Sequence, residues 1–118
     1  MFEKLHRLWL AVNWCPMKSH AVYLPSLQAT SALLKFYEDH GGGQFNLLRE
    51  CLAALEQGNR QAVEQAFKKL HRGMSHHGWT DWFPPVVSSQ ETEAYVQTVF
   101  EALVERWYRL LRLLLDIH

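Results

Sequence analysis

Cysteine is scarce: only Cys15 and Cys51 occur, and no CxxC spacing is present. Such a pair makes neither a disulfide framework nor a zinc-ribbon signature, so the expected compartment is a reducing cytoplasm. A surplus of one charge is also lacking. Twelve Lys and Arg balance twelve Asp and Glu, and the balance holds within each half of the chain. That removes the basic stripe by which small domains track nucleic acid, and no acidic face mimics it. Long uncharged apolar runs are missing too. The closest, "VFEALVERWYRLLRLLLDIH", contains Glu101, Glu105, Arg106, Arg109, Arg112 and Asp116, so no membrane span is expected. The opening "MFEKLHRLWLAVNWCP" carries His6 and Arg7 inside its apolar run and no small-residue cleavage site; it reads as an amphipathic helix, not a secretion signal. No repeat, low-complexity tract or linker divides the chain, which is expected to form a single helical domain over residues 1–118.

What the chain does have is helical periodicity. Phe2, Leu5, Leu8, Trp9 and Val12 recur at spacings of three and four, predicting a helix over 2–13. Pro16 and Pro25 break the pattern, with "HAVYLP" between them as an extended piece lacking an evident pairing partner. Ser26 is placed to cap a second helix over 27–39, which "HGGG" stops. A third helix over 44–57 and a fourth over 60–72 flank Gly58 and Asn59, a glycine stop followed by an N-cap, and so short a joint predicts an antiparallel hairpin. Gly73 closes the fourth helix, and Ser88 with Glu91 reads as a capping box for a long last helix over 89–116. That helix has one polar stripe (Thr98, Glu101, Glu105, Arg109, Arg112 and Asp116) and is otherwise apolar. It is therefore expected to lie centrally in the core, or to be half-covered by a second copy in a homodimer. The predicted fold is all-α: a bundle of about five helices with a long C-terminal helix and an irregular aromatic loop at 73–88.

The segment "LHRGMSHHGWTDWFPP" (70–85) holds most of the unusual chemistry. His71, His76, His77 and Asp81 offer nitrogen and oxygen donors, and His20 or His40 could add another. However, the first spacing is five and the adjacent pair would diverge in regular structure, unlike the i,i+4 pair that suits a helical metal site. No metal or cofactor is expected. No catalytic residue is assigned either. Cys51 falls on the apolar side of a helix, and nothing matches a nucleophile elbow or paired catalytic carboxylates. "HGGGQFN" lacks the strand before it and the Lys-Ser/Thr after it that a phosphate loop requires. Trp79, Trp82 and Phe83 remain, each worth about 1.5–3 kcal/mol if buried. Trp79 or Phe83 is expected to tuck under the loop and pin it, leaving a recognition edge formed by Trp79, Asp81 and Trp82 with His76 and His77 beside them.

Residues 52–85, "LAALEQGNRQAVEQAFKKLHRGMSHHGWTDWFPP", resemble small helical bacterial proteins of uncharacterised, toxin-immunity-like families. Those share a helix, a Gly-Asp or Gly-Asn turn, a second helix, and a glycine-methionine-glycine loop ending in an acidic residue. Gly58, Asn59, Gly73, Met74, Gly78 and Asp81 occupy the comparable positions, while "SHHGW" departs from the compact glycine loop. The resemblance implies a binding role and no chemistry: an immunity or antitoxin-like protein that neutralises a cognate toxin by occluding it. The function expected is accordingly that of a cytoplasmic protein-binding module and not an enzyme. The alternative is a metal- or cofactor-binding helical enzyme or sensor built on His71, His76, His77 and Asp81.

Overall fold

The computed structural model describes residues 16–43, 45–74 and 78–116, so the predicted helix over 2–13 lies outside the described part. Five α-helices occur among the described residues: α1 (Pro16–Ser19), α2 (Tyr23–Asp39), α3 (Asn46–Gln57), α4 (Arg60–Arg72) and α5 (Glu93–Leu115). A single 3-10 turn, Trp79–Asp81, interrupts the connection between α4 and α5, and no strand is present among the described residues. The all-α class and the long C-terminal helix are as expected.

The predicted hairpin forms as the turn chemistry requires. Gly58 adopts φ 69°, the left-handed conformation a side chain disfavours, and the Asn59 Oδ1 accepts the Ala62 N–H at 3.2 Å. Each remaining pair of neighbouring helices also runs antiparallel. Tyr23 at the start of α2 donates its hydroxyl to the Leu55 carbonyl near the end of α3, while Tyr37 meets Phe45 at the opposite end. Arg60 at the start of α4 donates to the Leu115 carbonyl ending α5 at 2.7 Å. Phe36, late in α2, stacks near Phe100, early in α5. The result is an up-down-up-down bundle of α2, α3, α4 and α5. Between α4 and α5, Phe67, Trp107 and Tyr108 supply the packing, with ring centroids 5.5 and 5.7 Å from Phe67.

Two boundaries differ from the sequence expectation. Helix α2 begins at Tyr23, so Pro25 sits inside its first turn, where the missing N–H would have had no helical acceptor. Ser26 is therefore not a cap. It is buried in the helix, its N–H bonds to the Val22 carbonyl, and its hydroxyl has no hydrogen-bond partner among the described residues. Ser26→Ala is accordingly expected to stabilise the protein by about 0.5–1 kcal/mol, because it removes an unsatisfied buried hydroxyl and improves helix propensity. A rise in the urea midpoint at unchanged slope checks this; a fall would show that the hydroxyl is satisfied.

Second, the capping box at Ser88 and Glu91 does not form. Helix α5 starts four residues later than expected, at Glu93, and the Thr92 hydroxyl accepts the Tyr95 N–H at 3.1 Å. Ser88 closes a small turn of its own, accepting from the Gln90 and Glu91 N–H groups. The Glu91 carboxylate is used elsewhere. The rest of α5 follows the pattern: Val96, Phe100, Val104, Trp107, Leu111, Leu114 and Leu115 are buried. The polar stripe faces outward, with Tyr95 and Leu113 as the exposed large apolar residues of the helix. No helix among the described residues is long and apolar enough to cross a membrane.

Candidate functional site: the aromatic loop closing one end of the bundle

The antiparallel order brings the end of α2, the start of α3, the end of α4 and the start of α5 to one end of the bundle. The loop from Gly73 to Thr92 closes that end. Its first attachment follows from the unpaired carbonyls that every helix C-terminus leaves. In α4 the Lys69 carbonyl takes the Gly73 N–H at 3.1 Å and the His71 carbonyl takes the Met74 N–H at 3.0 Å. The Leu70 carbonyl receives the Trp79 indole N–H at 2.9 Å. Trp79 thus serves as a side-chain cap for α4, and its own backbone N–H returns to the Gly73 carbonyl at 3.0 Å. Its ring lies edge-on to Trp107 at 5.7 Å and tilted against Phe45 at 5.3 Å, joining α3 to α5.

Trp82 is the second attachment. Its ring centroid lies 4.3 Å from Tyr37 and 5.2 Å, edge-on, from Phe100. Tyr37 is fixed from behind, since a Cβ on Gly42 would collide with its ring. Burial pushes the Tyr37 phenol above its usual pKa. Both tryptophans therefore serve the loop as anchors, each with part of its surface still reached by solvent. Asp81, between them, is exposed. His76 and His77, expected beside them, lie outside the described residues.

The third attachment was not legible in the pattern. The His40 ring, 8% exposed, is stacked on Phe36 with centroids 3.9 Å apart. His40 Nδ1 lies 2.9 Å from the Phe36 carbonyl and Nε2 lies 2.8 Å from the Glu91 carboxylate. The Phe36 carbonyl only accepts, so Nδ1 carries a proton; with Glu91 as a carboxylate Nε2 carries the second, which makes the pair ionic. Burial lowers the His40 pKa, but the hydrogen bonds to Glu91 and Phe36 and the charges of Glu91 and Asp39 outweigh it, so the pKa is raised. The pair pins the end of α2 to the residue just before the α5 cap.

Between these attachments the chain turns its apolar residues outward. Trp82 has φ −66° and ψ 135°, polyproline II values, and Pro84 and Pro85 hold φ near −65° by their rings. Pro84 is buried. Phe83 is 80% exposed, and Val86 and Val87 are exposed beside it. No backbone hydrogen bond joins residues 83–87 to another described residue. A groove of about 770 Å³ runs between Phe83, Pro84, Pro85 and Val86 on one side and Glu93, Ala94 and Gln97 of α5 on the other. Of the two residues expected to tuck under, Trp79 goes in and Phe83 stays out. A phenylalanine ahead of a rigid double proline is the signal in the sequence for that outward placement.

The chemistry of the alternatives is sparse. Among the described residues no three His, Cys, Asp or Glu side chains converge on a point where a metal could sit. His71 is exposed, and its Nε2 lies 3.1 Å from the Tyr108 hydroxyl. Cys51 is fully buried and burial pushes its thiol up to about 12, far from a nucleophile's range. No protein-family model, curated protein or solved structure matches the chain.

Proposed function

We propose that this protein acts by binding another protein, and that the contact surface is the outward side of the loop closing the bundle. One observation carries the reading. Phe83 is 80% exposed on a segment whose neighbours on both sides are fixed to the core, Trp82 and Pro84 before the valines and Glu91 after them. An exposed aromatic on a floppy loop loses entropy when it binds; one on a segment already held in shape loses little. Aromatic side chains are also over-represented among the residues that dominate binding energy. Phe83, Val86 and Val87 are the contacts, with Asp81 at their edge and Trp79 and Trp82 supporting them from beneath.

The resemblance of residues 52–85 to toxin-immunity-like helical proteins supports a more concrete version, in which the partner is a bacterial toxin whose active site this loop covers. Inhibition by occlusion needs no metal, cofactor or catalytic group, in keeping with the inert Cys51. The test uses tagged wild type, Phe83→Asp and Ser89→Asp, an exposed control on the same loop, as baits in lysate of the source cell. Wild type and Ser89→Asp are expected to retain one stoichiometric partner that Phe83→Asp loses. That partner, expressed alone, should arrest growth, and co-expression of wild type but not of Phe83→Asp should relieve the arrest. Absence of a stoichiometric partner, or equal retention by Phe83→Asp, would remove the loop from the interface.

A further inference from the structure

The charge balance of the whole chain conceals an uneven distribution. From Gly73 to Glu105 the sequence contains Asp81, Glu91, Glu93, Glu101 and Glu105 and neither Lys nor Arg. Glu91 is neutralised by His40 and Glu105 by Arg109 at 2.7 Å. Of the cations that neighbouring helices bring toward this end, Lys35 pairs with Asp39, Arg49 with Glu38 and Lys68 with Glu64, while Lys69 and Arg72 in the last turn of α4 are not among the residues that line the groove. Among the described residues that line the groove beside Phe83, the single charged one is Glu93, exposed in the first turn of α5. One helical turn on, Gln97 also lines the groove and donates to Glu101 at 3.0 Å, so Glu93, Gln97 and Glu101 run along one face of the helix. Apolar side chains thus form one wall, and Glu93, Ala94 and Gln97 form the other, with Glu101 beyond them on the same face of the helix.

From this we infer the chemistry of the occupant, an inference that rests on the loop being the contact surface. The groove takes an apolar side chain of a protein partner flanked by Lys or Arg, which meets Glu93 and, two turns farther along, Glu101. Complementary charge at a rim sets partner choice and speeds encounter, and it discriminates against acidic surfaces. A basic partner is then compatible with a chain of zero net charge, because the local face and not the total decides.

Selection of a phage-displayed random dodecamer library on the immobilised full-length protein tests this, with Phe83→Asp as the counter-selected bait. Enriched peptides that require Phe83 are expected to combine an aromatic or aliphatic residue with Lys or Arg. Binding of a synthetic copy, followed by fluorescence anisotropy, should weaken about tenfold in the Glu93→Lys/Glu101→Lys variant and fall as salt rises. Phe83-dependent peptides without Lys or Arg enrichment, or with affinity unmoved by the charge reversal, would overturn the charge assignment and leave the docking surface standing. Failure to enrich any Phe83-dependent peptide would count against the surface itself. A dimer in sedimentation equilibrium that Phe83→Asp disperses would assign the groove to a second copy and overturn the proposal.

Discussion

Trp82→Ala is expected to destabilise the protein by about 2–4 kcal/mol, whereas Phe83→Ala, one residue on, should change stability by less than about 0.5 kcal/mol. The contrast follows from where the two rings go. Trp82 sits 4.3 Å from Tyr37 and edge-on to Phe100 at 5.2 Å, so truncation opens a hole between α2 and α5. Its partial exposure keeps the loss below that of a fully enclosed tryptophan. Phe83 touches solvent over most of its surface and has little to lose. Trp79→Ala should resemble Trp82→Ala and additionally leave the Leu70 carbonyl without its indole donor. Urea unfolding of the three variants checks the ordering. A Phe83→Ala loss as large as that of Trp82→Ala would place Phe83 in the core and undo the docking surface.

Removing the buried ionic clasp should have an effect of similar size. Glu91→Ala leaves a charged His40 facing no acceptor at Nε2, and breaking a largely buried pair of this kind costs about 2–4 kcal/mol when some solvent can enter. The pH dependence gives the diagnostic sign. The His40 pKa in the folded protein is raised above its ordinary value of about 6.5. The pair's stabilisation is therefore fully present below pH of about 6.5 and is lost as pH climbs through the raised folded value. Wild type should lose stability over that window and Glu91→Ala should not, so the two curves should converge on the alkaline side. Hydrogen exchange of the backbone between Val86 and Gln90 should rise in the variant under the same conditions, since the loop's third attachment is gone. Parallel pH curves for the two proteins would mean that His40 is not ionised in the fold.

The helices were the legible part, and the reason is local. Gly58 and Asn59 carry their turn chemistry in their own side chains or lack of one, so α3 ends and α4 begins where the pattern places them. The stripe on α5 was readable for the same reason, since its period records which side meets water. The failures occurred where a side chain had a distant alternative. Glu91 is correctly spaced to cap with Ser88, but His40, fifty-one residues earlier, offers a buried cation. Ser26 follows a proline that reads as a break, yet the first turn of a helix tolerates proline and the helix begins before it. In the aromatic loop, composition identifies three large rings but not their orientation. Trp79 faces inward because the end of α4 leaves a carbonyl that an indole can reach, a vacancy visible only once α4, α3 and α5 are assembled. The charge of the candidate surface was obscured by averaging: each half of the chain is neutral, while the stretch from Gly73 to Glu105 is not.

The orientation of these rings is the point on which the functional reading turns, and it can be observed without a partner. In aromatic NMR spectra of assigned protein, a soluble paramagnetic relaxation agent attenuates protons in proportion to their exposure. The Phe83 ring and the Val87 methyls are expected to be strongly attenuated, while the Trp79 indole N–H and the inward edge of the Trp82 ring survive with contacts to Leu70, Tyr37 and Phe100. Strong attenuation of both indoles together with a protected Phe83 would contradict the anchored loop, and with it the surface proposed to bind a partner.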